Sequence, residues 1–321
     1  MYINECLQSI ACQSYPYFEA IICNDNSSDD STKIIQALAD KDPRFILINN
    51  TGEGIIAALN TAYGQCLGNY ITRMDADDIM PKDKIETLLN ALIDCKTIAV
   101  VTGKVSYFPI QQIKEGYLKY QNWLNKLVDE ETHWENIYKE CVIASPCWMM
   151  RRDFFEKIGG FKSANYPEDY DLVWRMFLNK TKLIAIPKIL HYWRDHSARA
   201  SRNDANYKNQ TYFLLKLHYM RQYLQLTNEN CIVWGAGKKG KTLIKALQSY
   251  AITPKFWISN NKNKIGHQIY DIKINSPQIL DTFKTNYKIL IAVSNSIEIN
   301  EIEAFLKEKT YQASVNYFIL A

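Results

Sequence analysis

Residues 68–86, GNYITRMDADDIMPKDKIE, place an acidic cluster directly after an apolar strand pattern. The acids of this cluster are Asp75, Asp77 and Asp78. Upstream, the run FEAIIC at residues 18–23 predicts another buried strand, and Asp25 lies two residues beyond its end. Helical patterns separate the strands, and such alternation is typical of βα units on a parallel sheet. We therefore expect both acidic groups at the carboxyl ends of strands.

A second α/β pattern begins after a polar stretch at residues 227–230. The segment CIVWGAGKKGKTLIKAL at residues 231–247 predicts a strand, a glycine turn and a helix. Further elements are expected as strands at 255–258 and 288–293 and a helix at 297–306. A chain of 321 residues also exceeds the usual size of one core. The sequence thus predicts two domains, 1–227 and 228–321, divided in the polar stretch.

Composition excludes several classes of protein. Hydrophobic residues make up 47% and charged residues 22% of the chain, which fits a globular protein and not a disordered one. The net charge is only +4, without a Lys/Arg block, so nucleic acid is not an expected partner. No apolar run is long enough to span a membrane, and the N-terminus lacks a signal-peptide pattern. The eight cysteines contain no CxxC pair, so we expect reduced thiols and a cytoplasmic protein.

The acidic cluster predicts a site for a cation. In open parallel sheets, ligands bind in the crevice at the carboxyl ends of the strands, where Asp25 and the acids after residue 74 should lie. Carboxylates held close together repel each other unless a cation lies among them, and oxygen ligands with phosphate favour Mg²⁺ or Mn²⁺. We interpret the cluster as a clamp for a metal ion and a diphosphate. The alternative is that Asp77 and Asp78 only cap the helix that begins near Pro81.

A second acidic group begins a helix in YPEDYDLVWR, residues 166–175. Glu168, Asp169 and Asp171 could simply complement the helix dipole as acids of the first turn. Opposite a metal-diphosphate site, however, a carboxylate can take a proton from an attacking hydroxyl group, as a general base does. We assign this function to Asp169 as a hypothesis.

Five segments together resemble one family. They are FEAIICNDNSSDDST (18–32), GNYITRMDADDIMPKDKIE (68–86), the Arg-Arg and GGF stretch (151–161), PEDYDLVWR (167–175) and HYWRDHSARASR (191–202). In this order they resemble a family 2 glycosyltransferase of the GT-A fold, over about residues 1–226. The expected fold is a mostly parallel GT-A sheet domain followed by a small Rossmann-like α/β domain.

The resemblance also implies site residues. Asp25 would contact the nucleobase, usually uracil, and Asp75 and Asp77 would hold ribose, diphosphate and metal. Asp169 would be the base of an inverting displacement. Two further residues complete the expected set: His196 stands where some relatives place a metal ligand or diphosphate contact, and Arg194 suits phosphate because of its fixed fork. Asp78 is grouped with the donor-binding acids.

The expected function is therefore metal-dependent transfer of a hexose in cell-surface polysaccharide synthesis. The donor would be a nucleotide-diphosphate sugar, with a UDP-sugar expected, and the acceptor a saccharide, a lipid-linked saccharide or another hydroxyl compound. The cytoplasm is the expected location, with peripheral association at the inner membrane face as a further expectation. Tyr117, Tyr120 and Trp123 share a helix face that either packs in the core or faces an acceptor or membrane.

Two departures leave alternatives open. The family domain opens with a strand, whereas Met1 lies at the start of the helix that should follow it, so the central strand is expected to be missing. This favours either a start located upstream or an inactive binding or scaffold protein. The loop GAGKKG at residues 235–240 also fits a dinucleotide fingerprint, and a C-terminal module of this kind occurs in a similar subgroup. An NAD-dependent oxidoreductase is less favoured, because Ser259 and Asn260 replace the acid that should bind ribose.

Overall fold

The computed structural model describes residues 2–109, 113–162, 167–197, 199, 202, 209–282 and 287–320, with the backbone alone at 209 and 210. The chain divides into two compact units. The N-terminal unit comprises Met1–Trp134 and Cys141–Ala205, and the C-terminal unit comprises Glu135–Glu140 and Asn206–Ala321. Each unit contains both helices and parallel strand pairs, so the prediction of an α/β protein with a second α/β domain is confirmed.

The N-terminal unit alternates helices and strands. Its helices are α1 (Ile3–Ala11), α2 (Ser31–Ala39), α3 (Gly54–Tyr63), α4 (Lys84–Leu92), α5 (Glu115–Glu130), α6 (His133–Asn136, whose last two residues belong to the other unit), α7 (Arg152–Lys157) and α8 (Glu168–Leu178). Its strands are β1 (Ala20–Asn24), β2 (Phe45–Asn49), β3 (Tyr70–Thr72), β4 (Ala99–Phe108), β5 (Trp148–Arg151) and β6 (Lys182–Arg194). As predicted, the chain begins with a helix, and a strand precedes each of the first two acidic groups.

Two sheets form in this unit. Strands β1 and β2 pair in parallel, with Ala20 opposite Phe45. The other sheet has the order β3-β5-β4-β6. In it, β4 and β6 form a long parallel pair that shifts register between Gly103 and Val105, while β5 runs antiparallel to both of its neighbours. The shift is a bulge, and beyond it β6 continues to Arg194 beside the acidic cluster.

The outer edges of β1 and β3 have no strand partner among the residues that the structure describes. All five residues of β1 (AIICN) are only half-buried, whereas β7 of the other unit (CIVW, Cys231–Trp234) is buried throughout. A parallel strand is normally covered on both sides, so β1 has the exposure expected of an edge. Next to it, Glu19 Oε1 accepts a hydrogen bond from the Gly68 backbone N–H at 2.7 Å.

Helix α1 packs beneath the segment that carries the acids. Its apolar face buries Ile3, Cys6, Leu7 and Ile10. Two polar side chains then bond to the acidic segment: Ser9 Oγ of α1 accepts from the Met80 N–H at 3.0 Å, and Gln13, just beyond the helix, donates to the Pro81 carbonyl at 2.7 Å. These bonds fix the path of the chain immediately after the acidic cluster.

The C-terminal unit contains one six-stranded sheet of order β12-β11-β7-β8-β10-β9. Its strands are β7 (Cys231–Trp234), β8 (Phe256–Ile258), β9 (Gln268–Ile269), β10 (Ile272–Asn275), β11 (Lys288–Ile291) and β12 (Tyr317–Ile319). Its helices are α9 (Asn209–Tyr223), α10 (Lys238–Ser249), a 3₁₀ helix (Pro277–Asp281) and α11 (Ser296–Glu308). All pairs except β9 with β10 are parallel. This is the Rossmann-like arrangement that the sequence predicted.

The glycine loop between β7 and α10 needs two of its glycines. Gly235 has φ +120°, and a Cβ on Gly240 would lie 1.7 Å from the Gly235 carbonyl oxygen. A side chain at Gly240 would therefore displace the helix from the strand, and one at Gly235 would be strained at this φ and would press on the Ala292 carbonyl.

The unit boundary differs from the predicted domain boundary. Helix α9 belongs to the C-terminal unit, although the sequence places it before the boundary at 227. It packs against α10, and the Arg221 guanidinium lies 4.2 Å above the Tyr250 ring. The segment Glu135–Glu140 joins the same unit, where Lys216 donates a hydrogen bond to the Lys139 carbonyl. No helix in the described part of the chain is long and apolar enough to cross a membrane.

Lys216 gives the C-terminal unit a predicted pH dependence. Burial lowers the pKa of Lys216 to about 8; to a smaller extent, Glu140 raises this pKa and Lys239 lowers it. In the unfolded chain the lysine has its ordinary pKa of about 10.4. Between these values the unfolded chain binds the extra proton, so the free energy of unfolding should rise with pH, by on the order of 3 kcal/mol. Denaturant unfolding of wild type and Lys216→Met from pH 7.5 to 10 measures this.

We expect the variant to lose most of the rise, because it lacks the titrating group. Lys245→Met, which removes an exposed lysine from the same unit, is the matched control and should retain the wild-type slope. Equal slopes in the wild type and Lys216→Met would contradict the prediction.

Candidate functional site

The loop after β3 is tied to β6 by a short antiparallel bridge. Ile79 N–H donates to the Tyr192 carbonyl at 3.1 Å, and Tyr192 N–H donates back at 3.0 Å. The bridge sets Asp77 and Asp78 beside the end of β6, which carries Arg194 and leads to His196. Residues more than a hundred positions apart thereby meet at one site. Asp75, Asp77 and Asp78 each contact a different partner there.

Asp77 faces His196. The His196 Nε2 lies 2.8 Å from Asp77 Oδ2, and both side chains are partly exposed, at 16% and 31%. The ring of Tyr2 lies 4.9 Å from the imidazole of His196. A carboxylate oxygen and an imidazole nitrogen are therefore adjacent and open to solvent, as two ligands of one divalent ion would be.

Arg194 is held rigidly next to this pair. Its guanidinium lies between the rings of Tyr2 and Phe108, at 4.5 and 4.4 Å from their centres. Its Nε donates to the Asp77 carbonyl at 2.6 Å, and its Nη2 donates to Glu5 Oε2 at 2.5 Å. The expected phosphate-binding arginine is thus preorganised beside the two candidate metal ligands, although a phosphate would have to compete with Glu5.

Asp78 lies below the site and not in it. Only 1% of the residue is exposed; Oδ1 accepts from the Arg194 N–H at 2.7 Å and Oδ2 lies 2.8 Å from His191 Nε2. Burial, followed by the charges of Asp75 and Asp77, raises the pKa of Asp78 to about 8. The sequence analysis grouped Asp78 with the donor-binding acids, whereas its position supports the backbone at Arg194.

His191 and Lys84 extend this support inward, and sequence reasoning missed both. Each is fully buried. Lys84 Nζ donates to the Pro146 carbonyl at 2.5 Å and lies 3.4 Å from His191 Nδ1. Burial lowers the pKa of both groups below their ordinary values. Only a lysine at a helix start and a histidine inside a strand pattern marked them in the sequence.

Asp75 is linked to helix α8 through Arg73. Its Oδ1 accepts a hydrogen bond from Arg73 Nε at 2.9 Å. Arg73 Nη1 donates to Glu168 Oε1 at 2.8 Å, so one guanidinium joins the strand-end loop to the first turn of α8. Burial alone would lower the pKa of Arg73, but Asp75, Glu168 and Asp169 raise it above its ordinary value. Asp75, after β3, and Glu168, at the start of α8, therefore both accept hydrogen bonds from the guanidinium of Arg73.

Asp169 lies in the first turn of α8, next to Glu168, and is partly exposed. Its Oδ1 accepts from the Tyr170 N–H at 2.7 Å. Arg73 is the residue that connects this helix start to the acidic loop, and sequence reasoning missed it. The signal was an arginine at the end of an apolar strand pattern, where a buried charge needs partners.

Asp25 lies at the end of β1, as predicted, and is exposed. Its Oδ1 accepts a hydrogen bond from Asn50 Nδ2 at 2.7 Å, and the neighbouring Asn24 Nδ2 donates to Asn49 Oδ1 at 3.3 Å. Among the described residues, no recorded hydrogen bond or ion pair joins Asp25 to Asp75 or Asp77. The structure thus joins Asp77, His196 and Arg194 in one set of contacts, and Asp75 and Glu168 through Arg73 in another, with Asp169 next to Glu168. Asp25 lies on a neighbouring strand end.

A divalent ion fits here only if the protein supplies two of its ligands and other molecules supply the rest. Within the described ranges, no group of three or more His, Cys, Asp or Glu side chains is arranged to hold a metal. Asp77 and His196 supply two adjacent donors. Mg²⁺ and Mn²⁺ commonly use one or two protein ligands and take the rest from phosphate oxygens and water. The residues present fit such an ion with a bound diphosphate.

The glycine loop of the C-terminal unit is partly closed by Lys264, which donates to the Ala236 carbonyl at 3.0 Å. At the end of β8, Asn260 Oδ1 accepts from Trp234 Nε1 at 3.1 Å and the Ser259 hydroxyl accepts from the Asn261 N–H at 3.2 Å. At the position expected to bind the ribose hydroxyl groups, the amide oxygen of Asn260 is therefore already hydrogen-bonded to Trp234.

Comparisons with known proteins place the chain among glycosyltransferases. Residues 1–159 match the model of glycosyl transferase family 2, and this part of the chain belongs to that family. Glycosyltransferase GlyA of Streptococcus pneumoniae serotype 4 is 27% identical over 207 residues, which cover 63% of this chain and 30% of GlyA. Chondroitin synthase of Pasteurella multocida is 34% identical over 100 residues, covering 31% of this chain and 10% of that protein.

Solved structures with a similar backbone include the mannosyltransferase PcManGT from Pyrobaculum calidifontis in complex with GDP-Man and Mn²⁺. It is 19% identical, with 70% of this chain and 59% of that chain covered, at a TM-score of 0.47. The matched segment spans less than a third of GlyA and a tenth of the chondroitin synthase. The prediction of a family 2 glycosyltransferase is confirmed.

Proposed function

We propose that this protein is an inverting glycosyltransferase that uses a nucleotide-diphosphate sugar, with a UDP-sugar as the expected donor. The observation that carries the proposal is the convergence at one site of Asp77 with His196, Arg194, and the Arg73-linked acids Asp75 and Glu168. The family to which residues 1–159 belong supports the reaction class, and the synthase relatives favour a role in cell-surface polysaccharide synthesis.

The donor would bind across the strand ends. Its diphosphate would lie at Asp77, His196 and Arg194, which could hold Mg²⁺ or Mn²⁺ and a phosphate oxygen together. Asp75 would bond the ribose, and Asp25 the base. When bound, the divalent ion supplies charge stabilisation to the departing diphosphate. The preorganised Arg194 supplies the same kind of stabilisation from the protein.

Asp169 would act on the acceptor. Its carboxylate takes the proton of an acceptor hydroxyl group, and the oxygen attacks the anomeric carbon. A bond from that carbon to the acceptor oxygen forms as the bond to the diphosphate oxygen breaks, which inverts the configuration and releases the nucleoside diphosphate. A saccharide or a lipid-linked saccharide is the expected acceptor.

A donor screen tests the proposal. We expect one nucleotide-diphosphate sugar, among UDP- and GDP-linked hexoses, to raise the melting temperature, and to do so more strongly with Mn²⁺ than with EDTA. Release of the nucleoside diphosphate in the presence of a saccharide acceptor should follow for the same donor. If no nucleotide sugar shifts the melting temperature with or without Mn²⁺, the proposal is wrong.

One observation favours a second candidate, a binding or scaffold protein without turnover. All of β1 is half-buried, and within the described ranges the outer edge of β3 has no strand partner. A donor that binds but is neither transferred nor hydrolysed would support this candidate. An oxidoreductase is disfavoured by the engaged Asn260, and a fluorescence titration with NADH tests it directly.

A further inference from the structure

We propose that Arg73 is a positioning residue, which clamps the first turn of α8 to the strand-end loop after β3 and so fixes where the Asp169 carboxylate stands. The catalytic consequence rests on the proposed function, because it takes Asp169 as the base. The clamp itself rests only on the contacts between Arg73, Asp75 and Glu168.

The contacts use two different arms of the guanidinium. Nε donates to Asp75 Oδ1 at 2.9 Å, and Nη1 donates to Glu168 Oε1 at 2.8 Å. The side chains of Arg73 and Glu168 are 7% and 3% exposed, so water cannot replace either partner easily. A planar fork can hold two carboxylates in fixed directions, which a single ammonium group cannot do.

The rest of α8 has its own anchor. Arg175 Nε donates to Asp171 Oδ2 at 2.8 Å, and Arg175 Nη1 donates to the Ile158 carbonyl at 2.8 Å. These bonds tie Asp171 to Arg175, one turn further along, and tie Arg175 to the segment before α8, and they do not involve Arg73. Loss of the clamp should therefore loosen the first turn of α8 before it affects the body of the helix.

The first turn matters because Glu168 directly precedes Asp169. A shift of Glu168 moves the neighbouring carboxylate by a similar distance. A misplacement of about 1 Å in a reacting group can cost on the order of a hundredfold in rate. Arg73 thus couples the donor side of the site, at Asp75, to the acceptor side, at Asp169.

A double-mutant cycle tests the clamp. Glu168→Ala removes the α8 arm, and we expect kcat to fall about 10- to 100-fold while the donor KM stays within about threefold. Arg73→Met should lower kcat at least as much, and Arg73→Met/Glu168→Ala should be no worse than Arg73→Met, because the two residues act as one unit. Arg73→Lys should not restore the rate.

Asp171→Ala is the matched control, since it breaks an equally buried ion pair on the same helix. We expect it to lower the melting temperature but to leave the kcat of the folded enzyme within about threefold of wild type. A kcat loss in this control as large as that of Glu168→Ala would overturn the proposal. So would wild-type kcat in folded Glu168→Ala and Arg73→Met.

Hydrogen exchange gives a readout that does not need activity. In Arg73→Met, the amides of residues 171 and 172, which form the first helical hydrogen bonds of α8, should exchange at least about tenfold faster, while amides of residues 175–178 remain near wild type. Unchanged exchange in the first turn overturns the clamp whether or not the protein transfers sugar. Faster exchange there in a chain that transfers no sugar would support the clamp and refute the proposed function.

Discussion

Asp169→Asn should reduce kcat by about 10³- to 10⁴-fold while leaving the affinity for the donor within about threefold. An amide has nearly the shape of the carboxylate but cannot accept a proton, and general-base catalysis typically contributes about 10² to 10⁴ in rate. Because Asp169 lies on α8 and the candidate diphosphate ligands lie on β6 and the loop after β3, donor binding should be spared. Steady-state kinetics and a calorimetric titration with the nucleoside diphosphate measure the two effects.

Asp153→Asn is the matched control for this substitution. Asp153 also lies in the first turn of a helix, α7, and pairs with a surface arginine, Arg151, at 2.7 Å. It should have almost no effect on kcat, because exposed pairs contribute little and it is remote from the Arg73 contacts. Turnover of Asp169→Asn within tenfold of wild type would remove Asp169 from the role of the base.

Local patterns predicted the parts of the fold that depend on short-range periodicity. Helix α1, strands β1 and β2 and the glycine turn at Gly235 lie where apolar spacing and turn residues place them. The sequence predicts the domain boundary in the polar stretch at 227–230, whereas α9 packs on α10 and belongs to the second unit. A helix pattern shows that a helix forms, but not which core buries it.

The pairing of β4 with β6 was not predicted from the sequence. Strand β6 contains Pro187, which usually argues against a strand within a sheet, and β4 contains Gly103 at the register shift. Helix α5 ends where Glu131 takes φ +55°, and the short helix α6 follows it. On α5, Leu124 and Leu127 are buried while Tyr117, Tyr120 and Trp123 remain half-buried.

The candidate site was predictable residue by residue but not as a network. Asp77 and His196 could be named from their motifs, whereas the bond of Arg73 to Glu168 spans 95 positions in sequence. Such a pairing leaves no local signal, because neither residue type is unusual in its own segment. Likewise, the burial of Asp78 depends on β6 passing over it, which only the three-dimensional path of the chain decides.

Asp77→Ala should abolish the gain in donor affinity that Mn²⁺ provides and lower kcat/KM by about 10³-fold. The carboxylate is one of two adjacent donors at the site, and its loss leaves His196 as a single candidate ligand beside Arg194. A bound metal ion is worth several kcal/mol of charge stabilisation to a departing phosphate group, and each 1.4 kcal/mol is tenfold in rate. Titrations of the nucleoside diphosphate with Mn²⁺ and with EDTA, on both proteins, measure the loss.

Asp42→Ala is the matched control, because Asp42 has similar exposure, pairs with Arg44 at 2.7 Å and lies outside the site. It should keep the full effect of Mn²⁺. His196→Ala should resemble Asp77→Ala if both residues hold the ion, and should leave the Mn²⁺ effect intact if His196 only orients the carboxylate. Equal affinities of wild type and Asp77→Ala in both titrations would contradict the assignment, since a ligand of the ion cannot be removed without changing what the ion contributes.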